Sequence, residues 1–232
     1  PCPYFPPLSA LSAVVGAVQA MIPDGAPVLL VGDTAFEAVG LQAQVAAWGW
    51  HYVLRQKPNN QVQVAQQATW QAFRSLVTAP GQRVWVPDVR LTRVYGHPAK
   101  VLAEWAVGER TPWLLSTNLS TASATLRAYR RRMWLEELFG DLKGHGFDLE
   151  QSHLRHFARL SRLTLAVVLL YAWCVTIGKH VIKRGLRTLV DRNDRRDLSV
   201  FQIGLRYLLR RIKHGQPVPV VFAPGLPKLS GS

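Results

Sequence analysis

Cysteine and negative charge are both scarce in this sequence. Its 232 residues include two cysteines, Cys2 and Cys174, which form neither a CxxC pair nor an extracellular disulfide framework. Such a composition suits a reducing compartment, and we expect the cytoplasm. Aspartate and glutamate number 14 against 28 lysines and arginines, which gives a formal net charge of +14. A chain with this balance is expected to bind a polyanion, either nucleic acid or an anionic membrane surface.

The sequence also lacks a secretory leader and a convincing membrane span. Its first seven residues, Pro-Cys-Pro-Tyr-Phe-Pro-Pro, include no basic residue and no initiator methionine, so we expect the chain to begin within a longer protein. The apolar segment Leu163–Gly178 has 16 uncharged residues between Arg162 and Lys179, fewer than the roughly 20 that a spanning helix needs. We predict a buried core helix there and no membrane partner. A membrane-surface protein that uses this segment is the weaker alternative.

The positive charge is concentrated in the second half of the chain. From residue 121 to the end there are 20 lysines and arginines against 8 acidic residues, a charge of +12, which leaves +2 for residues 1–120. Neutralisation of phosphates with release of counterions makes such a region suited to nucleic acid. Within it, the run Lys179–Arg196 is either a solvated face or a phosphate contact, and Val200–Lys213 is predicted as a basic amphipathic helix.

The first 50 residues have the pattern of a layered α/β domain. Helices are predicted over 8–22 and 36–48, and the four apolar residues Val28–Val31 between them predict a strand buried on both faces. Asp33 comes directly after this strand. Ligand sites in α/β sheets gather at the carboxyl ends of strands, so the position makes Asp33 a candidate functional residue.

Short candidate strands dominate the next 70 residues. We predict strands over 51–56, 62–65, 83–93, 100–107 and 113–117 and a helical piece over 69–77, which together form a β-rich insertion. Its five tryptophans either fill a core or stack on an exposed base: Trp50, Trp70, Trp85, Trp105 and Trp113. Helices are then predicted over 121–143 and from 149 onward, with a Pro-rich tail from Pro217.

The segment Tyr129-Arg-Arg-Arg-Met-Trp-Leu-Glu-Glu-Leu-Phe-Gly-Asp-Leu-Lys143 is the most informative part of the sequence. At about 100° per residue, an unbroken helix places four of its polar side chains within an arc of about 60°. These are Tyr129, Arg132, Glu136 and Lys143. The apolar residues Trp134, Leu135, Leu138 and Leu142 fall on the opposite side and are expected to face a core.

Two carboxylates far apart in the sequence, Asp33 and Glu136, are the candidates for a divalent-metal site. Carboxylate oxygens are hard ligands that suit Mg²⁺, and a metal on a cationic surface is typical of phosphoryl-transfer chemistry. Arg132 and Lys143 could each hold a phosphate oxygen nearby, and Tyr129 could donate a hydrogen bond to the DNA backbone. The competing interpretation is an Arg–Glu surface pair at i,i+4 spacing beside a solvated lysine.

The spacing Tyr129-x2-Arg132-x3-Glu136-x6-Lys143 matches the Y-(2)-R-(3)-E-(6)-K signature of the IS4-type DDE transposases. The segment Val28-Leu-Leu-Val-Gly-Asp33-Thr-Ala-Phe36 resembles the family's strand that carries the second catalytic aspartate, and Leu114-Leu-Ser-Thr-Asn118 resembles the strand before the signature helix. The segment Tyr52-Val-Leu-Arg55, shortly after, also resembles the family's sequences. The resemblance covers about residues 8–180.

This resemblance implies the fold and its division. The family's fold is an α/β, ribonuclease H-like mixed sheet with flanking helices. On that basis residues 1–50 are part of the core with the second aspartate, 51–112 the β-rich insertion, and 113–180 the rest of the core. Residues 181–232 form a basic helical C-terminal region and a loose tail.

The resemblance also implies a reaction and its partners. Asp33 and Glu136 would be metal ligands for Mg²⁺ or Mn²⁺, while Tyr129, Arg132 and Lys143 would hold transposon-end DNA. Water attacks a phosphodiester at the transposon end, and the freed 3′-hydroxyl then attacks the target strand. The partners would be double-stranded DNA and a second copy of the chain in a synaptic complex, in the cytoplasm of a bacterium and associated with the nucleoid.

One departure from the family pattern limits this expectation. The family's first catalytic aspartate lies on a strand upstream of everything here, and no Asp-x-Thr strand precedes residue 27. Asp24 is placed in a turn and Asp88 in the insertion, so neither is a replacement. We therefore expect a C-terminal fragment of the catalytic domain that is inactive alone. The alternative is a DNA-binding relic of a transposase without catalysis.

Three histidines after the signature, His145, His153 and His156, have no spacing that provides a set of metal ligands. We expect them to be ordinary surface residues or residues near DNA.

Overall fold

The computed structural model describes residues 7–65, 67–143, 153–154, 156–192, 194 and 197–219. The chain divides into two compact units, Pro1–Met133 and Trp134–Ser232. Each is built from the elements given below.

The first unit is a mixed α/β layer structure. Its helices are α1 (Leu8–Gln19), α2 (Val39–Ala47) and α3 (Ala122–Arg130). Its strands are β1 (Leu29–Gly32), β2 (His51–Arg55), β3 (Gln61–Val64), β4 (Trp70–Ala72), β5 (Arg83–Leu91), β6 (His97–Glu104) and β7 (Trp113–Thr117). They form one seven-stranded sheet in the order β1-β2-β7-β6-β5-β3-β4, in which β1 and β2 are parallel and the other pairs antiparallel.

Helices cover both faces of the sheet around β2. Side chains alternate between the faces of a strand, so Tyr52 and Leu54 pack with α1 and α2, while Val53 packs on the other face with α3. All three β2 side chains are fully buried. The strand next to β1 is therefore a rigid central element, and it supports the end of β1 where Asp33 lies.

The strand expected at 28–31 is confirmed as β1 (Leu29–Gly32), but its side chains are half-buried on both faces where full burial was expected. β1 is a terminal strand of the sheet, and Leu29, Leu30 and Val31 are half-buried. A continuous apolar run cannot distinguish a half-buried strand at an edge from a fully buried one, because both carry the same residues.

The prediction of a helical piece over 69–77 is wrong. Trp70–Ala72 is a strand paired with β3, and Phe73–Leu76 is a single 3-10 turn. Phe73 is buried in the core below the sheet. The segment is too short to repay helix nucleation, so tertiary burial decided its conformation.

The signature helix expected over 121–143 is interrupted. Helix α3 ends at Arg130, Arg131 and Arg132 form a turn, and α4 spans Met133–Lys143. Leu126 and Tyr129 fix α3 to the sheet, and the arginines that follow carry no apolar group that could extend this contact. The prediction that the four polar residues lie on one stripe of a single helix is therefore wrong, but their spacing in the sequence is unaffected. Trp134 and Leu135, expected to face a core, are 59% and 45% exposed.

The second unit is helical in the residues described. Besides α4 it contains α5 (Phe157–Lys183) and α6 (Val200–Lys213), which pack through Cys174, Ile177 and Phe201 among others. Gly178 and Gly204 lie at the crossing, where an added Cβ would overlap the carbonyl oxygens of Val200 and Cys174 respectively. Ser199 and Gln202 cap the start of α6 with reciprocal hydrogen bonds.

Helix α5 is long and apolar enough to cross a membrane by length and composition, and it is the single such helix in the part of the chain described. Only 22% of its most apolar window is buried. Of the core helix expected over Leu163–Gly178, the part from Cys174 to Gly178 is confirmed as a core element, whereas Leu165, Val168 and Leu169 are exposed.

Candidate functional site

Asp33 begins a 3-10 turn at the carboxyl end of β1. Its Oδ1 accepts a hydrogen bond from the Ala35 amide at 2.9 Å, which caps the turn at Thr34–Phe36. The preceding Gly32 leaves room for this turn, because an added Cβ would lie 2.8 Å from side-chain atoms of both Leu54 and Phe36. The side chain of Asp33 is 43% exposed. The sequence thus builds a fixed carboxylate with one oxygen open to a ligand.

Arg132 meets this open oxygen. Its Nη2 lies 3.6 Å from Oδ2 of Asp33, and its side chain is 25% exposed. Arg132 takes its place because the turn after α3 is closed by a hydrogen bond from its amide to the carbonyl oxygen of Tyr129 at 2.9 Å. The structure therefore brings together two of the predicted site residues that are 99 positions apart in the chain.

Tyr129 lies behind this ion pair and is 3% exposed. Its ring makes an edge contact with Trp113 at 5.1 Å between centroids. Its hydroxyl oxygen has no hydrogen-bond partner among the described residues. Burial raises the pKa of this hydroxyl, and the positive charges of Arg55 and Arg132 oppose the rise, as does the approach of the Arg55 side chain, which falls outside hydrogen-bond geometry. An unpaired polar atom inside a protein is costly and is the kind of group that a ligand satisfies.

Arg55 is a site residue to which sequence reasoning gave no role. It ends β2, and its Nη2 donates to Thr111 Oγ1 and to the Pro112 carbonyl oxygen, both at 3.3 Å. Its charge acts on Tyr129. The signal was available, because parallel strands end at the same edge of a sheet and β2 was predicted as the strand following β1. Together Asp33, Arg132, Tyr129 and Arg55 form the β1-end cluster.

Glu37 is a second carboxylate near the end of β1, but it is already fully engaged. It pairs with the Lys57 ammonium at 2.5 Å and accepts from the Lys57 amide at 3.0 Å and from Asn60 at 2.9 Å. The side chain is 17% exposed. Glu37 therefore holds the loop after β2 in place. Among the described residues there is no group of three metal-ligating side chains.

Glu136 and Lys143 belong to the second unit. Glu136 lies in the first turn of α4, where a negative charge is favoured by the helix dipole, and it is exposed. Lys143 is the last residue of α4, and its side chain lies outside the described part of the structure. Of the three histidines considered, His145 lies outside the described residues.

Within the second unit, a buried carboxylate fixes α4 to its neighbours. Asp141 is 3% exposed and accepts from Ser199 Oγ, which lies 3.0 and 3.1 Å from its two oxygens, and from the Tyr171 hydroxyl at 3.4 Å. Burial and then the charge of Asp141 raise the pKa of Tyr171 to about 12. Asp141 follows Glu136 by five residues, so this anchor holds the helix that carries Glu136. Sequence reasoning missed it, since a lone Asp in a helix has no distinguishing pattern.

Comparison with known proteins connects these observations. The family model described as "Transposase DDE domain" matches residues 10–173, which include Asp33, the turn at Arg132 and Glu136. No curated protein matches the chain. Proteins of this family cut DNA in transposition, bind DNA at transposon ends and generally use divalent metal ions. Because the match covers more than half of the sequence, the chain belongs to the family of transposase DDE domains.

Proposed function

We propose that this chain is the catalytic part of an IS4-type transposase and carries out metal-dependent strand cleavage and transfer at transposon ends. The observation that carries the proposal is the contact between Asp33 and Arg132. It joins a carboxylate at a strand end to the arginine of the Y-(2)-R-(3)-E-(6)-K spacing. An incidental surface pair would not be expected to unite these two positions.

Asp33 and Glu136 are the proposed metal ligands, with Mg²⁺ or Mn²⁺ as the ion. The fit rests on donor chemistry: both side chains offer hard carboxylate oxygens, and both are exposed enough to reach a hydrated ion. The ion would activate a water molecule and stabilise negative charge on the attacked phosphate. Asp33 would keep its amide hydrogen bond on Oδ1 and use Oδ2.

The cations of the site would act on DNA. Arg132 pairs with Asp33, and the positive charge of a guanidinium suits a phosphate oxygen. The buried Tyr129 hydroxyl would donate to the DNA backbone, and Arg55 would add positive charge beside it. Lys143 is the proposed further phosphate contact from α4.

Three parts of this proposal rest on the resemblance: the ribonuclease H-like fold, the first aspartate outside these 232 residues, and action as a homodimer that bridges two transposon ends. The seven-stranded mixed sheet is compatible with such a fold.

Metal binding by the whole chain tests the site. We would titrate Mn²⁺ and follow the electron paramagnetic resonance signal of the free ion. Asp33→Asn and Glu136→Gln should each weaken binding by more than about tenfold, because each removes a charged ligand. Glu137→Gln is the matched control, since it removes a neighbouring exposed carboxylate of α4, and it should leave binding unchanged. Equal affinities in all four proteins would refute the assignment.

Activity tests the reaction itself. The test uses a transposase that extends further upstream and cleaves its own transposon ends. Glu136→Gln should lower its cleavage rate by more than about 100-fold, because loss of a residue that merely supports a metal ligand already lowers activity by roughly 10–100-fold. Cleavage at the parental rate would show that Glu136 has no catalytic role.

The second candidate function is a DNA-binding relic without catalysis. Both candidates agree with the absence of a group of three metal ligands among the described residues, so the metal and cleavage measurements decide between them. Tight DNA binding without Mn²⁺ affinity, and without cleavage by the extended protein, would establish the relic.

A further inference from the structure

A cationic cleft lies where the end of α5 meets α6. Its volume is about 310 Å³. It is lined by His180, Arg184, Tyr207, Arg211, Pro217, Val218 and Pro219. All seven residues lie beyond residue 173, where the match to the transposase family ends. The cleft is therefore not part of the site described above.

Arg211 is held in this cleft by neutral groups. Its Nε donates to the Pro217 carbonyl oxygen at 2.7 Å, and its Nη1 lies 3.3 Å from the Tyr207 hydroxyl. The guanidinium carbon lies 5.7 Å from the centre of the Tyr207 ring. None of these partners is a carboxylate, so the guanidinium is oriented, and among the described residues no carboxylate compensates its positive charge.

Arg184 adds a second charge on the opposite side of the cleft. It is the residue after the last turn of α5 and is exposed. It makes no ion pair with any residue in the described part of the chain. Arg187, three residues later, differs in this respect, because its Nε lies 2.6 Å from Asp191 Oδ2. Among the described residues, Arg184 thus has no ion-pair partner, whereas Arg187, three positions later in the chain, has one.

A separate exposed basic stripe runs along another face of α6, roughly 100° around the helix from Tyr207 and Arg211. Arg206, Arg210 and Lys213 are exposed and fall within an arc of about 60° over a rise of about 10 Å. The helix contains no aspartate or glutamate. Basic residues in the last turn of a helix also stabilise the helix by interacting with its dipole. That interaction would change the stability of the protein but not its affinity for DNA.

We propose that this cleft and this stripe each bind the phosphate backbone of duplex DNA, as contact surfaces separate from the catalytic residues. A pre-oriented, uncompensated guanidinium suits a phosphate, and a row of cations suits a polyanion. Anionic lipid headgroups carry the same phosphate chemistry, but a DNA-acting family favours DNA. The inference rests on the proposed function only in that both have DNA as the ligand.

The test is the salt dependence of DNA binding by the whole chain. We would measure the fluorescence anisotropy of a labelled duplex of about 25 base pairs and arbitrary sequence, with EDTA present, between about 50 and 200 mM salt. Arg184→Gln should weaken binding and reduce the slope of log K against log salt by about 0.9, and Arg184→Gln with Arg211→Gln by about 1.8. Arg184→Lys should retain the slope, since it keeps the charge.

Arg187→Gln is the matched control. It also removes one positive charge, three residues after Arg184, but Arg187 is already paired with Asp191. It should leave the slope nearly unchanged. Arg206→Gln with Arg210→Gln provides a second variant whose side chains are exposed, so it should fold normally and lower the slope by about 1.8. Circular dichroism would verify the fold of each protein.

Equal slopes for Arg184→Gln, the stripe variant and Arg187→Gln would overturn the proposal. So would binding to phosphatidylserine vesicles that depends on these arginines while duplex binding does not. Because EDTA removes divalent ions and the duplex carries no transposon end, the result is independent of Asp33 and Glu136. Failure of the catalytic proposal would appear in the Mn²⁺ titration instead.

Discussion

At the residue scale, the β1-end cluster combines a paired carboxylate with an unpaired hydroxyl. Asp33 has both of its oxygens engaged, one by the Ala35 amide and one by Arg132. Tyr129 is buried beside them without a hydrogen bond from the described residues. A protein that keeps such a hydroxyl bears a cost in stability, which is explained if the hydroxyl acts on a ligand.

Tyr129→Phe should separate these two effects. The substitution removes the unpaired hydroxyl and keeps the ring contact with Trp113, so the free energy of unfolding should stay the same or rise by about 1 kcal/mol. Affinity for DNA should fall at the same time. Urea unfolding and duplex binding measure the two quantities.

Tyr52→Phe is the control for that substitution. Tyr52 is equally buried, but its hydroxyl lies 3.4 Å from His97 Nε2, so its removal should lower the free energy of unfolding. A loss of stability in Tyr129→Phe as large as that in Tyr52→Phe would show that the Tyr129 hydroxyl has a structural partner.

His97 gives the fold a predictable response to acid. Burial lowers the pKa of its imidazole below the ordinary value of 6.5. Between the lowered pKa and 6.5 the unfolded chain binds more protons than the folded protein, so stability rises with pH in that window. The contribution is complete above about pH 6.5 and is lost as the pH falls below it.

The thermal unfolding midpoint should therefore decrease between about pH 7.5 and pH 5.5, and it should decrease less in His97→Gln. Differential scanning calorimetry at both pH values measures the difference. The same decrease in both proteins would assign the acid response to other groups.

At the scale of elements, the sequence predicts strands better than helix continuity. The strand at 113–117 is confirmed with both bounds, and those at 51–56 and 62–65 within one residue. The interruption of the signature helix could not be predicted, because placing residues at about 100° intervals assumes one unbroken helix. The last turn of α3 packs Tyr129 against Trp113, a contact with a distant strand that no helical wheel represents.

The crossing of α5 and α6 depends on two glycines. An Ala at Gly178 or Gly204 would place its Cβ against a backbone carbonyl that cannot rotate away, so each substitution should lower the free energy of unfolding by about 1–3 kcal/mol or more. Urea unfolding followed by circular dichroism measures this change.

Gly16→Ala in α1 is the control with the opposite sign. No atom lies within 4 Å of its added Cβ, so only the helix propensity changes, and stability should rise by about 0.5–1 kcal/mol. Stabilisation by Ala at all three positions would mean that the two helices do not cross through their glycines.

At the scale of the whole molecule, the two units should unfold in separate steps. Each unit has its own hydrophobic core. Six of the eight tryptophans lie in the first unit, whereas the described part of the second contains helices and no strand. Tryptophan fluorescence and far-ultraviolet circular dichroism should therefore give different urea midpoints.

Gly204→Ala identifies which step belongs to which unit. It should shift the transition seen by circular dichroism and leave the tryptophan transition in place. Coincident transitions that shift together would show a single cooperative unit.

The candidate site could be predicted only in part from sequence at this scale. The position after a predicted strand identified Asp33, and the signature spacing identified Arg132, whose Nη2 the structure places 3.6 Å from Asp33 Oδ2. Asp141 was missed because its role arises from a contact with Ser199 that no local pattern encodes, and Arg55 was missed although its position at the end of the strand after β1 indicated it. The proximity of Asp33 and Glu136 stays a prediction.

The terminal position of β1 has a consequence for how the site opens. In the described part of the chain β1 pairs only with β2, so its amides that point away from β2 have no strand partner. Such amides exchange with solvent through local fraying, without unfolding of the sheet. Hydrogen exchange should therefore be fast at the strand that ends in Asp33 and slow in β2. A ligand that orders this edge would slow the exchange of β1, which makes its amides a direct reporter of occupancy.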